Sequence, residues 1–324
     1  MSSRRRGAVL LILATCAGIV GHHAFAAYPE RPIRLLVGFP PGGGADFTAR
    51  LVGTELGLRF NQQVVVDNRP GANGNIAAQI AASAPADGYT LLLIPFNFAL
   101  SPVVTRNLPF NPATDFAAIS LVASSPMVLS ANAALPVRSV ADLVALARER
   151  PKTINFGSGG AGSTSHVAAE LLSALARVEL VHVPYRGAAP ALSATIAGEV
   201  PIYFGSLPAT LPHGRSGRLR LLGVTTARRA KVAPDLPTLQ EGGVPGYEFS
   251  TWYGVVGPSK TPRAIRTLLH AEIVTMLDKA GVQARLAADG ADPVGSDPDG
   301  FQKFLAAEID RWKIILRTSG IIPE

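Results

Sequence analysis

The chain has 324 residues, 48% of them hydrophobic and 6% aromatic, with 30 Lys and Arg against 23 Asp and Glu, a formal net charge of +7. The basic excess is spread along the sequence rather than gathered into a stripe with aromatics, which argues against a nucleic-acid surface and fits attraction of small anions. The single cysteine, Cys16, lies in the N-terminal leader, so disulfides, thiol catalysis and cysteine-bound metal are excluded from the mature chain.

That leader runs Arg4-Arg5-Arg6, then the uncharged stretch Gly7 to Gly21, then Ala24-Phe25-Ala26. Charged, apolar and small-residue segments in that order predict a secretory signal peptide over residues 1–26, cleaved after Ala26. An apolar run of about fifteen residues falls short of the roughly 20 that a membrane anchor needs. Thr15 before Cys16 is a poor lipoprotein signal, and the arginine triplet lacks the apolar residue of a twin-arginine signal. About 300 residues then remain, too many for one compact core, so two lobes are expected.

In the first lobe, strand Ile33 to Gly38 leads through Pro40-Pro41-Gly42-Gly43-Gly44-Ala45-Asp46 into a helical pattern at Phe47, Leu51, Val52 and Leu56. Strands Val64 to Val66 and Leu91 to Ile94, with helix Ile76 to Ala84 between them, complete a β-α-β-α-β start and a parallel sheet. A second round begins near Met127. Ser139 and Asp142 form a capping box for helix Val140 to Arg148. Strand Thr153 to Phe156, a second glycine turn and helix Val167 to Ala176 follow, then strand Leu180 to Pro184, helix Ala188 to Ala197 and strands Val200 to Phe204 and Leu219 to Thr225. Tyr247 to Val256 leads out of this lobe as a strand. Thr261-Pro262 predicts an N-cap and first-turn proline for helix Arg263 to Ala280, and Asp299 to Thr318 forms a last amphipathic helix. Both terminal helices are expected on the first lobe. The chain then crosses twice, near Ser120 to Met127 and near Tyr247 to Val256, as a two-strand hinge.

The two glycine turns are the candidate site. A helix start leaves its first N–H groups unpaired and carries about half a positive charge, so it binds carboxylate or phosphate. The second turn contains Gly157, Gly159 and Gly162 in G-x-G-x-x-G spacing, but the acidic residue a dinucleotide site needs at the end of the next strand is missing. It also imitates a P-loop, with Ser163 where the lysine belongs. Ser158, Ser163, Thr164, Ser165 and His166 instead offer hydroxyls, a ring donor and backbone N–H groups to a carboxylate, beyond the single cap a helix requires. In the first turn, Gly43, Gly44 and Ala45 supply amides, and Asp46 either binds a cationic or hydroxyl part of a ligand or complements the helix dipole. Asn97 follows a strand's carboxyl end, where open α/β sheets bind ligands. A hydrolase built on adjacent Ser165 and His166 is the competing class, yet the chain has no G-x-S-x-G elbow. His182, His213 and His270 lack metal-ligand spacing.

These residues sit among Tyr28-Pro29, Phe39-Pro40-Pro41-Gly42-Gly43-Gly44, Asp67-Asn68-Arg69-Pro70-Gly71-Ala72, Ala86-Asp87-Gly88-Tyr89-Thr90, Val181-His182-Val183-Pro184-Tyr185-Arg186-Gly187 and Trp252-Tyr253-Gly254. Over essentially the whole mature chain these motifs resemble the Bug (TctC-like) periplasmic solute-binding receptors of tripartite tricarboxylate transporters. The resemblance implies an α/β, two-lobe periplasmic-binding-protein fold of type II, the Venus-flytrap form. Its first lobe would comprise residues 27–125 and 252–324, its second residues 126–251. It implies a non-enzymatic, periplasmic and monomeric receptor, with no cofactor or metal, that pinches a small organic acid between its glycine loops and presents it to membrane permease subunits. A sensor-coupled receptor without transport is the alternative. A di- or tricarboxylate, an amino acid or an aromatic acid all remain open as the ligand. Gly205-Ser206, where the family often has Asp-Asn, and the bulky Phe96-Asn97-Phe98 are expected at the distal half of the ligand.

Overall fold

A computed structural model of the chain describes residues 28–318. The signal peptide and its cleavage after Ala26 lie outside the described residues.

The first half-lobe is laid down in chain order: β1 (Ile33–Val37), α1 (Gly44–Phe60), β2 (Val64–Asn68), α2 (Asn75–Ala82), β3 (Thr90–Pro95) and α3 (Asn97–Val104). β1 pairs in parallel with both β2 and β3, as the crossover helices require. β3 reads Thr-Leu-Leu-Leu-Ile-Pro, and its four central residues are buried because helices cover both faces of the sheet. α1 ends at Asn61, whose left-handed φ of 49° lets its N–H reach the Gly57 carbonyl.

β4 (Phe116–Asn132) is the element that joins the lobes. Its 17 residues are almost all buried. From Phe116 to Pro126 it pairs antiparallel with β9 (Ser250–Pro258), whereas from Met127 it pairs antiparallel with β7 (Ile202–Ser206), and from Val128 also with β8 (Leu219–Val224). The change of sheet falls between Pro126, opposite Ser250, and Met127, opposite Ser206. On the returning strand, the Phe249 N–H still bonds to Thr225 of the second sheet. The two crossings expected near Ser120 to Met127 and Tyr247 to Val256 therefore lie side by side. Between them come α4 (Val140–Glu149), β5 (Asn155–Ser158), α5 (Thr164–Ala176), β6 (Val181–Pro184), α6 (Ala188–Ala197) and α7 (Leu207–Arg215). β5 pairs in parallel with β6 and β7. The capping box forms: Ser139 Oγ accepts the Asp142 N–H at 3.1 Å and Asp142 accepts the Arg138 N–H at 2.8 Å.

α8 (Arg263–Leu277), α9 (Ala280–Ala288), the short β10 (Asp292–Pro293) and α10 (Pro298–Thr318) close the first lobe. Thr261 does not cap α8. Its hydroxyl donates to the Pro258 carbonyl at 2.7 Å and Pro262 stands at the cap without a side-chain bond. α10 buries Phe301, Leu305, Ile309, Trp312 and Leu316 along one face, with Phe304 and Ile315 partly buried beside them. One hydrophobic core runs without a break from Leu36 and Leu92 through Phe96, Phe249, Trp252 and Trp312 to Phe156, Val167 and Tyr247. The aromatic cluster at its middle, with Phe96 edge-on to Phe249 and Trp312, packs the hinge.

Candidate functional site

Between the lobes lies a cleft of about 1020 Å³. Both glycine turns reach it: Gly43 and Gly44 open α1 on one side, and Gly159, Ser163, Thr164 and Ser165 open α5 on the other. Phe96, Trp252 and Tyr253 line it from the hinge region, with Ser206 and Tyr203 from β7.

The start of α1 is built to leave donors free. Gly42 adopts φ +90°, a conformation only glycine takes readily, and Gly43 caps the helix without a side chain. The first bond that closes onto the helix is from Phe47 N–H to the Gly43 carbonyl, so the amides of Gly44, Ala45 and Asp46 precede it with no partner among the described residues. Gly44 also lets the Tyr253 side chain approach the turn, because a Cβ there would press on its hydroxyl. That hydroxyl has no partner among the described residues. Burial, with the charge of Asp289 second, pushes it up to about 12, so it stays a donor.

At α5, Ser163 caps the helix by accepting the His166 N–H at 3.4 Å. Ser165 Oγ accepts the Gly159 N–H at 3.0 Å and shares a hydrogen bond of 3.1 Å with Ser163 Oγ. These bonds set the turn's shape and leave the Thr164 and Ser165 amides and the Thr164 hydroxyl without a partner among the described residues. Two helix N-termini with unclaimed amides thus open on one cleft, an arrangement that holds an anion by fixed dipoles.

Several predicted site residues support this geometry from behind. Asp46 is 4% exposed and absent from the cleft wall. Its carboxylate accepts from Gly42 N–H at 3.0 Å, Arg50 Nε at 2.9 Å and Asn68 Nδ2 at 2.9 Å. The Arg50 hydrogen bond is the main cause that holds it at about 2. The expected ligand contact from its side chain is therefore corrected: Asp46 fixes the first turn. Ser158 is fully buried, its Oγ 2.5 Å from His182 Nε2. His166 is also buried; its Nδ1 accepts the Gly162 N–H at 3.0 Å and its Nε2 faces Glu170. Neither His166 nor Ser158 lines the cleft. With His166 so engaged and Ser165 bonded elsewhere, the pair lacks the nucleophile–base contact a hydrolase needs. Ala45 turns its methyl into the first-lobe core, and Gly205 lies within β7, where a Cβ would meet Tyr203 and Thr210.

Asn97 and Ser206 do line the cleft, and Asn97 Nδ2 bonds to Asn73 Oδ1 at 3.2 Å. Phe98 does not line it; it packs on Phe110 and Phe116. Sequence reasoning missed Thr251, Tyr253, Tyr203, Pro208 and Asp289. The Trp252-Tyr253-Gly254 motif was a signal for Tyr253, while nothing local marked Asp289.

Two α/β lobes joined by paired strands, with unclaimed amides facing a common cleft, define a solute-binding protein. The family model for the tripartite tricarboxylate transporter family receptor, TctC, matches residues 48–321. Protein BugT of Bordetella pertussis is 36% identical over 324 residues and 99% of each chain. Among solved structures, R. palustris Rpa4515 with adipate is 40% identical at a TM-score of 0.79, covering 92% of this chain and 100% of that one. MatC (Rpa3494) from Rhodopseudomonas palustris with bound malate is 29% identical at a TM-score of 0.74, covering 89% and 100%. The chain belongs to the TctC receptor family. It is a solute-binding receptor and not an enzyme, and receptors of this family are periplasmic. Among the described residues no helix is long and apolar enough to cross a membrane.

Proposed function

We propose that the mature chain, exported and cleaved after Ala26, works as a periplasmic monomer that captures a small organic carboxylate in this cleft. The lobes, residues 27–125 with 252–324 and residues 126–251, close on the ligand and present it to the membrane subunits of a tripartite tricarboxylate transporter. The observation that carries the reading is the shared opening of the α1 and α5 N-termini on one cleft. The amides of Gly43, Gly44 and Ala45, the Thr164 hydroxyl and the Ser165 amide hold the acid group, with Asn97 and Ser206 facing the remainder of the ligand; the Ser165 hydroxyl, expected to join them, is engaged with Gly159 and Ser163. Hydrogen bonds to a charged group contribute about 1.5 to 3 kcal/mol each, so a few of them, less the ordering cost, reach the roughly 8 kcal/mol of micromolar binding. The acids named with two relatives, adipate and malate, support this class of ligand. Differential affinity for the closed form shifts the open and closed populations, and no covalent step is involved.

The test is thermal unfolding of the chain from Ala27 onward, refolded free of carried-over ligand, against a panel of small carboxylates. A ligand at about 100 times its dissociation constant adds roughly 2.7 kcal/mol and raises the midpoint by a few degrees. Thr164→Ala weakens the selected ligand. A flat response across the panel overturns the reading.

A further inference from the structure

The one formal charge in the cleft has the opposite sign to that expected around an anion. Among the described residues that line it, Asp289 alone is charged, and no Lys, Arg or His joins it. Asp289 follows the last turn of α9, where its N–H bonds back to Arg285. Its carboxylate has no hydrogen-bond or ion-pair partner among the described residues. The position is anchored rather than loose. The Gly290 carbonyl accepts a 2.7 Å bond from Ser125 Oγ beside the hinge, and a Cβ on Gly290 would strike Pro208 of the second lobe. Asp289 also acts electrostatically on Tyr253, whose hydroxyl abuts Gly44 in the first glycine turn. An acid held there repels a second ligand carboxylate and attracts a cation, while the two helix N-termini take the first carboxylate.

We infer that Asp289 is a specificity-determining residue that pairs with a ligand ammonium, so that the cleft selects an aminocarboxylate over a dicarboxylate of the same length. This rests on the carboxylate reading above. Asn97, Ser206 and Tyr253 supply neutral hydrogen bonds to either kind of ligand and do not discriminate between them.

Calorimetric titration of the ligand-free mature chain at neutral pH with four six-carbon acids tests it: norleucine, ε-aminohexanoate, hexanoate and adipate. We expect one of the two ammonium ligands to bind about ten- to hundredfold more tightly than hexanoate, the range of one charge-assisted pair, and adipate to bind most weakly. Asp289→Asn abolishes the ammonium advantage and Asp289→Lys transfers it to adipate. Both variants keep the native unfolding midpoint, because the carboxylate accepts no bond from the chain. Adipate binding more tightly than both ammonium ligands, or an ammonium advantage that survives Asp289→Asn, overturns the assignment while leaving the carboxylate reading intact. Binding of none of the four acids, with no response to the wider panel, overturns both.

Discussion

The imidazole rings of His166 and His182 stack with centroids 3.8 Å apart and 11° from parallel, and Phe156 packs beside the pair, 5.0 Å from His182 and 6.1 Å from His166. One ring holds Gly162 and the other holds Ser158, so the stack is the internal support of the second glycine turn. Burial is the main cause that pushes His182 down to about 4, the proximity of His166 adds to it, and Glu170 opposes it.

That stack makes stability pH-dependent in a defined window. The unfolded chain takes up a proton at His182 near 6.5, whereas the fold resists until about 4. Stability is therefore full above 6.5, falls as pH drops between those values, and levels off below the lower one. The expected loss is on the order of 1 to 2 kcal/mol, since the ring is only partly buried and solvent screens it. Denaturant titrations across the window measure it, and His182→Asn, which cannot titrate there, removes this part of the slope.

Asp46 acts in the same direction in a lower window. Its carboxyl sits near 2, below the ordinary 3.8, so its contribution is present above 3.8 and lost as pH falls through about 2. Asp46→Asn lowers stability at neutral pH by about 1 to 3 kcal/mol, by weakening the bonds to Gly42, Arg50 and Asn68. The gap between native and variant should narrow as the pH is taken through the lower window. A gap that stayed constant there would place the stabilisation elsewhere.

Gly44 and Tyr253 should couple. Gly44→Ala drives a methyl group into the Tyr253 hydroxyl and costs about 1 to 3 kcal/mol as overpacking, with loss of ligand affinity. Adding Tyr253→Phe removes the obstructing oxygen, so the double variant is more stable than the sum of the single effects predicts. Gly43→Ala is the control, since nothing lies within 4 Å of its Cβ and its φ is −88°. Unfolding midpoints of the four proteins close the cycle.

Glu308 holds both tryptophans of the chain. Trp252 Nε1 and Trp312 Nε1 each donate to its Oε2 at 3.2 Å. Glu308→Leu leaves two buried indole N–H groups unpaired and costs about 2 to 4 kcal/mol. Trp252 lines the cleft and Trp312 does not, so intrinsic fluorescence should report ligand binding through Trp252. Trp312→Phe keeps that response, while Trp252→Phe abolishes it.

The amino-acid sequence by itself determined the alternation of strands and helices, the two glycine turns at helix starts, the Ser139 cap and the family, because each rests on apolar period, φ-permissive residues or motifs within a few positions. α3 and α7 escaped it, since Pro102 and Pro212 inside them break the helical pattern. The full length of β4 escaped it as well, because an apolar run does not say which of two sheets each half will join. Only the tertiary structure decided that Asp46, Ser158 and His166 stand behind the cleft rather than in it, that parallel pairing of β5 and β6 brings His182 opposite Phe156, and that Asp289 lines the same cleft as Tyr253. Those outcomes depend on which distant strands pair and which side of a turn faces the gap. They are set by packing between segments far apart in the chain, to which local propensity is blind.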